Sequence, residues 1–347
     1  LCRRSPGRGD VGHPARPRSS RVVERMNEFE AIAYLQRRLG TPVDAGDLPL
    51  GIGDDAALIA THGAPAMAVC TDTLVAGRHF SADYAAADIG FRALSVNLSD
   101  FAAMGVRPRY FQLALTLPEL DASWLAGFCD GMAALAEPHG LVLTGGDLTG
   151  GPLCVSVTLF GPTDTHRVLT RSGAQAGDRI FVSGQLGGPC LALAARMRGE
   201  AADPQCDQRL LRPAPRVALG CALAGLANAA IDISDGLVQD LGHICRGSGV
   251  TMRICVDVIP HLAPEAVPLA LRRQAVLAGG EEYELAFTVP VAQVAQVGLL
   301  AEQIEVPITD IGEVLAPDAT NPEPTVHVVD RIGSPVRLDE SGFMHFR

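Results

Sequence analysis

Six short segments of the chain place carboxylates beside glycine or small hydroxyl residues, and they restrict its fold more than any other feature. A carboxylate removed from water costs several kcal/mol unless it is paired or bound to a cation. The fold must therefore bring these acids to a place that cations can reach. The segments are 51–55, 71–73, 97–100, 145–147, 232–236 and 279–282.

The chain contains no lysine, so all 28 of its basic side chains are arginine. The lysine that P-loop proteins and protein kinases place against nucleotide phosphates is therefore missing. If the protein handles phosphates, divalent cations must supply much of the neutralising charge. Magnesium commonly lies between one or two carboxylates and substrate phosphates. The acidic segments thus predict a magnesium-dependent nucleotide enzyme.

Length and composition, at 347 residues with 48% hydrophobic and 19% charged, fit two globular domains of ordinary size. No apolar stretch approaches the roughly 18 residues that span a bilayer, so we expect no membrane partner. The net charge of −11 disfavours nucleic acid as a partner. Nine cysteines without a Cys-x-x-Cys pair indicate reduced thiols and a cytoplasmic protein.

Residues 1–25 differ from the rest of the chain, with seven arginines and almost no apolar residues before Met26. They lack the central apolar run of a signal peptide. We expect a non-native or disordered extension, with a nucleic-acid-binding arm as the less favoured alternative. A polar, turn-rich stretch at 162–178 then divides the remainder into predicted domains at 26–162 and 163–347.

The spacing of apolar residues predicts strands and helices in both domains, with the acidic segments in loops at strand ends. In the first domain we expect helices over 27–39, 86–104 and 123–136, and strands over 50–59, 67–73, 109–117, 141–144 and 153–161. In the second we expect strands over 179–183, 250–256, 284–289 and 307–315, the last strand ending near Val314, and helices near 190–198, 215–228 and 237–246.

Asp100 is the strongest single candidate for a metal ligand, because it shares one face of an otherwise apolar helix with Asn97. Asp54 and Asp55 in an extended segment would point to opposite sides, so that one binds metal while the other orients backbone or a second ion. For the segment 51–55 an ordinary turn is the alternative.

The segment 71–73 could turn a hydroxyl, a carboxylate and a carbonyl toward one ion, with helix capping by Asp72 as the alternative. The glycines of 145–147 would let a phosphate approach the backbone while Asp147 holds its metal. The segment 232–236 resembles the opening of an EF-hand loop but lacks the later glutamate, which disfavours calcium sensing. A solvated loop is the alternative for 279–284.

As a set, these segments closely resemble the thiamine-monophosphate kinase family. That family belongs to the superfamily of aminoimidazole ribonucleotide synthetase, selenophosphate synthetase and the hydrogenase-maturation dehydratase. The resemblance runs from about Met26 to the C-terminus, and the residues Thr-Asp-Thr-Leu-Val-Ala-Gly-Arg-His-Phe at 71–80 point to the thiamine branch. The other matching motifs are Gly-Ile-Gly-Asp-Asp-Ala at 51–56, the stretch 95–105, Thr-Gly-Gly-Asp at 144–147, Asp-Ile-Ser-Asp-Gly-Leu at 232–237 and Gly-Gly-Glu-Glu-Tyr-Glu-Leu at 279–285.

The resemblance implies a set of site residues. Magnesium ligands are expected at Asp55, Cys70, Thr71, Asp72, Asp100, Asp147, Asp232 and Asp235. ATP contacts are expected at Gly146, Asp147, Arg171 and Ser234, and catalytic roles fall on Asp100, Asp147, Asp232 and Arg171. Acceptor contacts are expected at His79, Glu281 or Glu282, and Phe343. The chain departs from the family at Cys70, where serine is frequent. A thiol is a poor magnesium ligand, so only the carbonyl of this residue should serve.

Three of these acceptor assignments leave alternatives open. The chain has Glu281-Glu282 where Glu-Asp is frequent, so either glutamate could offset the thiazolium charge. Phe343 could stack on a ring of the acceptor or simply pack the C-terminal tail. His79 could also be an ordinary histidine after a turn.

The resemblance also implies a fold and a reaction. The fold is α/β (α+β), a two-domain aminoimidazole ribonucleotide synthetase-like architecture. Its N-terminal domain binds ATP and magnesium and forms a homodimer through a mixed sheet, and its α+β C-terminal domain completes the site. The reaction is direct in-line transfer from ATP to thiamine monophosphate, the last step of thiamine diphosphate synthesis. It needs no general base, because a phosphate monoester is ionised at neutral pH. The alternatives are a superfamily enzyme with another acceptor and a non-catalytic nucleotide-binding module.

Overall fold

We describe the fold from a computed structural model, which covers residues 30, 49–51, 53–61, 65–81, 83–317 and 323–337. The expected extension at 1–25, most of the helix predicted at 27–39, and Phe343 lie outside these described residues. Among the described helices, none is long and apolar enough to cross a membrane.

The first half forms a five-stranded sheet with two helices on one face. The order across the sheet is β1-β2-β5-β3-β4, and neighbours are antiparallel except for the parallel pair β3 and β4. The strands are β1 (Ala57–Ile59), β2 (Ala66–Val75), β3 (Tyr110–Leu117), β4 (Val142–Gly150) and β5 (Cys154–Thr163), and the helices are α1 (Ala86–Ala103) and α2 (Ala122–His139).

The second half forms a six-stranded sheet in the order β11-β8-β10-β6-β9-β7, in which only β11 and β8 are parallel. Its strands are β6 (Arg179–Ser183), β7 (Ala229–Asp232), β8 (Thr251–Cys255), β9 (Leu285–Val289), β10 (Ile308–Leu315) and β11 (Val326–Val329). Its helices are α3 (Gly188–Met197), α4 (Pro204–Leu211), α5 (Val217–Leu223), α6 (Leu237–Ser248), α7 (Leu269–Ala278) and α8 (Val294–Ile304).

Helix α1 lies at the centre of the molecule, because it packs on the first sheet and also on α5 of the second half. Its apolar residues Leu94, Leu98 and Phe101 are fully buried. The contact with α5 is close: a Cβ added at Gly220 would lie 1.8 Å from the carbonyl oxygen of Ala102. A residue larger than glycine at 220 would therefore push the two halves apart.

The predicted mixture of strands and helices is confirmed, but several predicted boundaries are wrong. Strand β2 continues to Val75 and β4 to Gly150, so the segments 71–73 and 145–147 lie within strands and Asp72 caps no helix. Pairing of β2 with β5 along its whole length, and of β4 with β3 on both sides of one register shift, outweighs the turn tendency of Gly and Asp. Strand β1 is shorter than predicted, α5 ends at Leu223, and β11 follows the strand that was expected to be last.

Candidate active site

Three predicted acids meet in a cluster, although they come from distant parts of the chain. Asp55 lies in the loop before β1, Asp100 on α1 and Asp232 at the end of β7. One carboxylate oxygen from each lies within 4.8 Å of the others. We call these three residues the acidic cluster.

The acidic cluster is electrostatically unbalanced. Burial raises the pKa of Asp100 well above its usual range, and Asp72, Asp232 and Asp55 raise it further. Burial, followed by the charge of Asp55, raises the pKa of Asp232 to about 8, although Ser99 donates a 2.7 Å hydrogen bond to this carboxylate. Carboxylates that are desolvated and repel one another require protons or a cation. An all-oxygen donor set of this kind fits magnesium.

Asp72 lies next to the acidic cluster because β2 and α1 are joined by a buried asparagine. The side chain of Asp72 is on the sheet face that packs against α1, and the backbone N–H of Asp72 donates to Oδ1 of Asn97 at 3.1 Å. Asn97 in turn donates to the carbonyl of Ala93 at 3.0 Å. This link fixes Asp72 relative to Asp100, three residues further along α1.

The loop that carries Asp235 is organised by Asp240, a residue that the sequence analysis missed. One oxygen of Asp240 accepts the backbone N–H groups of Ser234, Asp235 and Gly236 at 3.1, 3.2 and 3.0 Å. Gly236 has φ of +130°, a conformation that strongly favours glycine. The local signal in the sequence is an aspartate placed early in a helix that follows Ser-Asp-Gly.

Arg171 links the loop before β1 to the second half of the molecule. Its guanidinium contacts both oxygens of Asp55, at 2.5 and 3.3 Å, and its backbone N–H donates to Asp54 at 3.1 Å. Burial, followed by the charge of Asp55, raises the pKa of Asp54 to about 6. The two adjacent acids therefore have different surroundings: Asp54 accepts a backbone N–H, while Asp55 belongs to the acidic cluster.

The hydroxyl of Thr71 points away from the acidic cluster, whereas the thiol of Cys70 borders it and donates a hydrogen bond to the carboxylate of Asp100. Cys70 is buried, with its sulfur 3.6 Å from the carbonyl oxygen of Asn97. The hydroxyl of Thr71 lies 2.9 Å from that of Thr158 on the opposite, outward face of the sheet. Successive residues of a strand point to opposite faces, so the idea that the hydroxyl of Thr71 and the carboxylate of Asp72 face one ion is wrong. Cys70 and Thr71 could therefore contribute only their backbone carbonyls to a cation at the acidic cluster.

Asp147 lies far from the acidic cluster of its own chain. It is exposed on the edge strand β4, in register with Ala114, Ser156 and Thr73 across the sheet. Three strand spacings separate it from β2 by about 14 Å, and it points to the outward face. Gly146 has a packing role, because a Cβ there would lie 1.8 Å from the carbonyl oxygen of Leu113.

The structure distinguishes the two glutamates of the 279–284 segment. Glu282 is buried and accepts the backbone N–H of Gly187 at 2.6 Å. The side chain of Glu281 is 24% exposed and is hydrogen-bonded by Arg92 and Tyr283. Only Glu281 is therefore placed to meet a ligand.

His79 is held by the strand that precedes it. Its Nδ1 accepts the backbone N–H of Val75 at 3.0 Å. A ring nitrogen that accepts a hydrogen bond carries no hydrogen, so the neutral ring has its N–H at Nε2.

Two cavities adjoin the acidic cluster. The larger, of 470 Å³, is lined by Ser172, His243 and Arg246, and the smaller, of 350 Å³, by Asp55, Asp72 and Asp100. Both are also lined by Gly51, Gly53, Asp54 and Arg171. The cavities therefore lie side by side, with Arg171 between them and the acids in the smaller one, and we call the two together the groove.

Comparison with known families identifies both halves of the chain. Residues 53–163 match the family described as AIR synthase related protein, N-terminal domain, and residues 175–322 match its C-terminal domain. The thiamine-monophosphate kinase of Escherichia coli strain K12 is 43% identical over 332 residues, which cover 92% of this chain and 98% of that protein. The Bacillus subtilis enzyme of the same name is 33% identical, with 83% and 91% coverage.

Solved structures agree with this assignment. The thiamine-monophosphate kinase from Stenotrophomonas maltophilia K279a is 40% identical, with a TM-score of 0.74 over 88% of this chain and 97% of that chain. AaThiL complexed with AMPPCP and TMP is 30% identical, with a TM-score of 0.76 over 92% and 97%. The hydrogenase maturation protein HypE, at 19% identity and a TM-score of 0.65 over 82% and 92%, shares the fold.

Proposed function

The chain belongs to the thiamine-monophosphate kinase family. We propose that its acidic cluster, together with Asp72 and Asp235, binds the magnesium ions that the phosphorylation of thiamine monophosphate requires. The observation that supports this most is the meeting of three oxygens within 4.8 Å from three separate elements. Magnesium bound there would neutralise the phosphate oxygens of both substrates.

The groove beside the acidic cluster supports an ATP-binding site there. Arg171 stands where the two cavities join, and its always-charged guanidinium suits a phosphate oxygen. The larger cavity, beyond Arg171, would receive the nucleoside, and Ser234 lies on the loop between Asp232 and Asp235. The relative AaThiL, which was complexed with AMPPCP and TMP, supports the binding of both substrates in one such site.

The residues on the acceptor side need only to bind and orient. An ionised phosphate monoester is already nucleophilic, so catalysis rests on positioning and on charge neutralisation. Glu281 would contact the acceptor, and the Nε2–H of His79 would donate to it. Glu282 acts only through Gly187, since its side chain is buried.

A role for Gly146 and Asp147 in metal or ATP binding requires a second copy of the chain. The outward face of the first sheet is incompletely covered in one chain: Ile59 and Tyr110 are 44% and 39% exposed. Pairing two such sheets into a homodimer would bury this face and the open edge of β4. If the pairing of the two sheets places β4 of one copy beside β1 of the other, Asp147 lies near the partner's Asp55.

Mixing two inactive variants tests this arrangement. Asp100→Asn and Asp147→Asn are each expected to be inactive as pure proteins. In a mixed dimer, one site of the two would have both acids intact, so after subunit exchange about a quarter of the wild-type sites should be active. If Asp147 served its own chain, or if the protein were a monomer, mixing would restore nothing.

The acceptor is tested by product formation. With ATP and magnesium, ADP and thiamine diphosphate are expected to form in equal amounts from thiamine monophosphate, and neither should form from free thiamine or without an acceptor. ADP release without any acceptor, or with another acceptor only, would instead indicate a superfamily enzyme of different chemistry. ATP binding without turnover would indicate a non-catalytic module.

A further inference from the structure

Arg92 is a buried arginine near the middle of α1, and the acidic cluster does not explain its position. Its side chain is 1% exposed. One guanidinium nitrogen donates to the carbonyl of Leu210 and another to Oε2 of Glu281, and the group lies 5.6 Å from the ring centroid of Tyr283. A buried cation destabilises the fold unless its partners are well placed. The partner with the strongest compensating charge is Glu281.

The Glu281 carboxylate is held from two sides. The hydroxyl of Tyr283 donates to the same oxygen that Arg92 contacts, at 2.9 Å. Burial, followed by the charge of Glu281, raises the pKa of Tyr283 well above its usual range, and this keeps the hydroxyl protonated as a donor. The orientation of Glu281 therefore depends on a residue of the first half and on its own loop.

The backbone beneath Glu281 is also constrained. Glu281 and Tyr283 have φ of +71° and +52°, the left-handed region that side chains other than glycine seldom adopt. Their N–H groups donate to the carbonyls of Ser234 and Ile233, both at 2.8 Å. This loop is thus joined to the one that carries Asp232 and Asp235. Residues held in such conformations are often found at functional sites.

We propose that Arg92 is a positioning residue for the acceptor, which together with Tyr283 fixes the Glu281 carboxylate at a set distance from the acidic cluster. Arg92 and Asp100 lie eight residues apart on one helix, about 12 Å along its axis. A single rigid element therefore sets both the metal side and the acceptor side of the reaction. This inference rests on the proposed contact between Glu281 and thiamine monophosphate.

Because the Arg92–Glu281 pair is neutral as a whole, Glu281 should act less as a counter-ion than as an oriented hydrogen-bond acceptor. Tyr283→Phe removes one donor but keeps the ring beneath the guanidinium. Arg92→Lys keeps the charge but cannot reach Leu210 and Glu281 together. Each is expected to raise KM for thiamine monophosphate about tenfold and to change KM for ATP less than about twofold.

Two further proteins complete the test. Arg212→Lys is the matched control, since Arg212 also pairs with α1, at Asp88, and stacks on an aromatic ring, that of Phe91. It should leave KM for thiamine monophosphate unchanged. Glu281→Gln should raise that KM at least as much as Arg92→Lys, and adding Arg92→Lys to it should have little further effect, because both act through one carboxylate.

The outcomes separate the two claims. If Glu281→Gln leaves KM for thiamine monophosphate unchanged, the proposed acceptor contact fails and the positioning role fails with it. If Glu281→Gln raises that KM but Tyr283→Phe and Arg92→Lys do not, only the positioning role is overturned. A rise of both KM values in step with a lower melting temperature would also overturn it, because it would show a structural role. Should Arg92→Lys fail to fold, the KM of Tyr283→Phe for thiamine monophosphate still tests the positioning role.

Discussion

Replacing Asp100 with asparagine is expected to lower kcat/KM for acceptor-dependent ADP release by at least about a thousandfold. Asp100 lies next to Asp72, on a helix buried along most of its length, and it supplies one of the three oxygens of the acidic cluster. The amide has the same shape but lacks the charge that a magnesium ion requires. Steady-state ADP release, at saturating magnesium and with both substrates varied, gives the ratio.

The same substitution is not expected to destabilise the metal-free protein. Burial and the charges of Asp72, Asp232 and Asp55 raise the pKa of Asp100, so its ionised form destabilises the metal-free fold. Asparagine removes this repulsion, and the melting temperature measured with a chelator should not fall. Asp130→Asn, on the exposed side of α2, is the control and should retain full activity. Activity of Asp100→Asn within tenfold of wild type would contradict the assignment.

Replacing Arg171 with glutamine is expected to affect ATP and metal in opposite directions. The guanidinium contacts both oxygens of Asp55, so it would compete with a cation for that carboxylate. Without it, KM for ATP should rise at least about tenfold, because a charged contact to phosphate is lost. Affinity for divalent ions alone should increase, because Asp55 is released.

Calorimetric titrations of the Arg171→Gln protein with Mn²⁺ and, separately, with ATP give the two affinities. Arg179→Gln is a matched control, since Arg179 makes a comparable two-point contact with Asp310 away from the acidic cluster. It should change neither affinity. If metal affinity falls together with ATP affinity, Arg171 supports the metal site and does not compete for Asp55.

The acidic cluster could be predicted from the sequence because its members carry local signals. Asp100 is conspicuous on an apolar helix, and Asp55 and Asp232 each lie two residues from a glycine or a serine in a short acidic segment. The location of helix α1, from its apolar spacing to Gly105, was predicted for the same reason. Each of these inferences depends on residues close together in the chain.

What the sequence could not supply depends on register and on distant partners. Thr71 and Asp72 face opposite sides because β2 runs through them to Val75, whereas the sequence predicts that the strand ends on this segment in a loop. The distance of Asp147 from its own cluster follows from the order of the strands. Arg92 resembles any helical arginine until Glu281, 189 positions away, is seen beside it. The domain limits at 162 and the cytoplasmic location remain predictions.

The central claim, that the acidic cluster binds the divalent ions, is tested most directly by titrating Mn²⁺ into metal-free protein and measuring free Mn²⁺ by electron paramagnetic resonance. We expect the wild-type protein to remove Mn²⁺ from solution and Asp100→Asn to bind at least about tenfold more weakly, with magnesium displacing the bound ion. Equal binding by the two proteins would contradict the account and place the metal elsewhere.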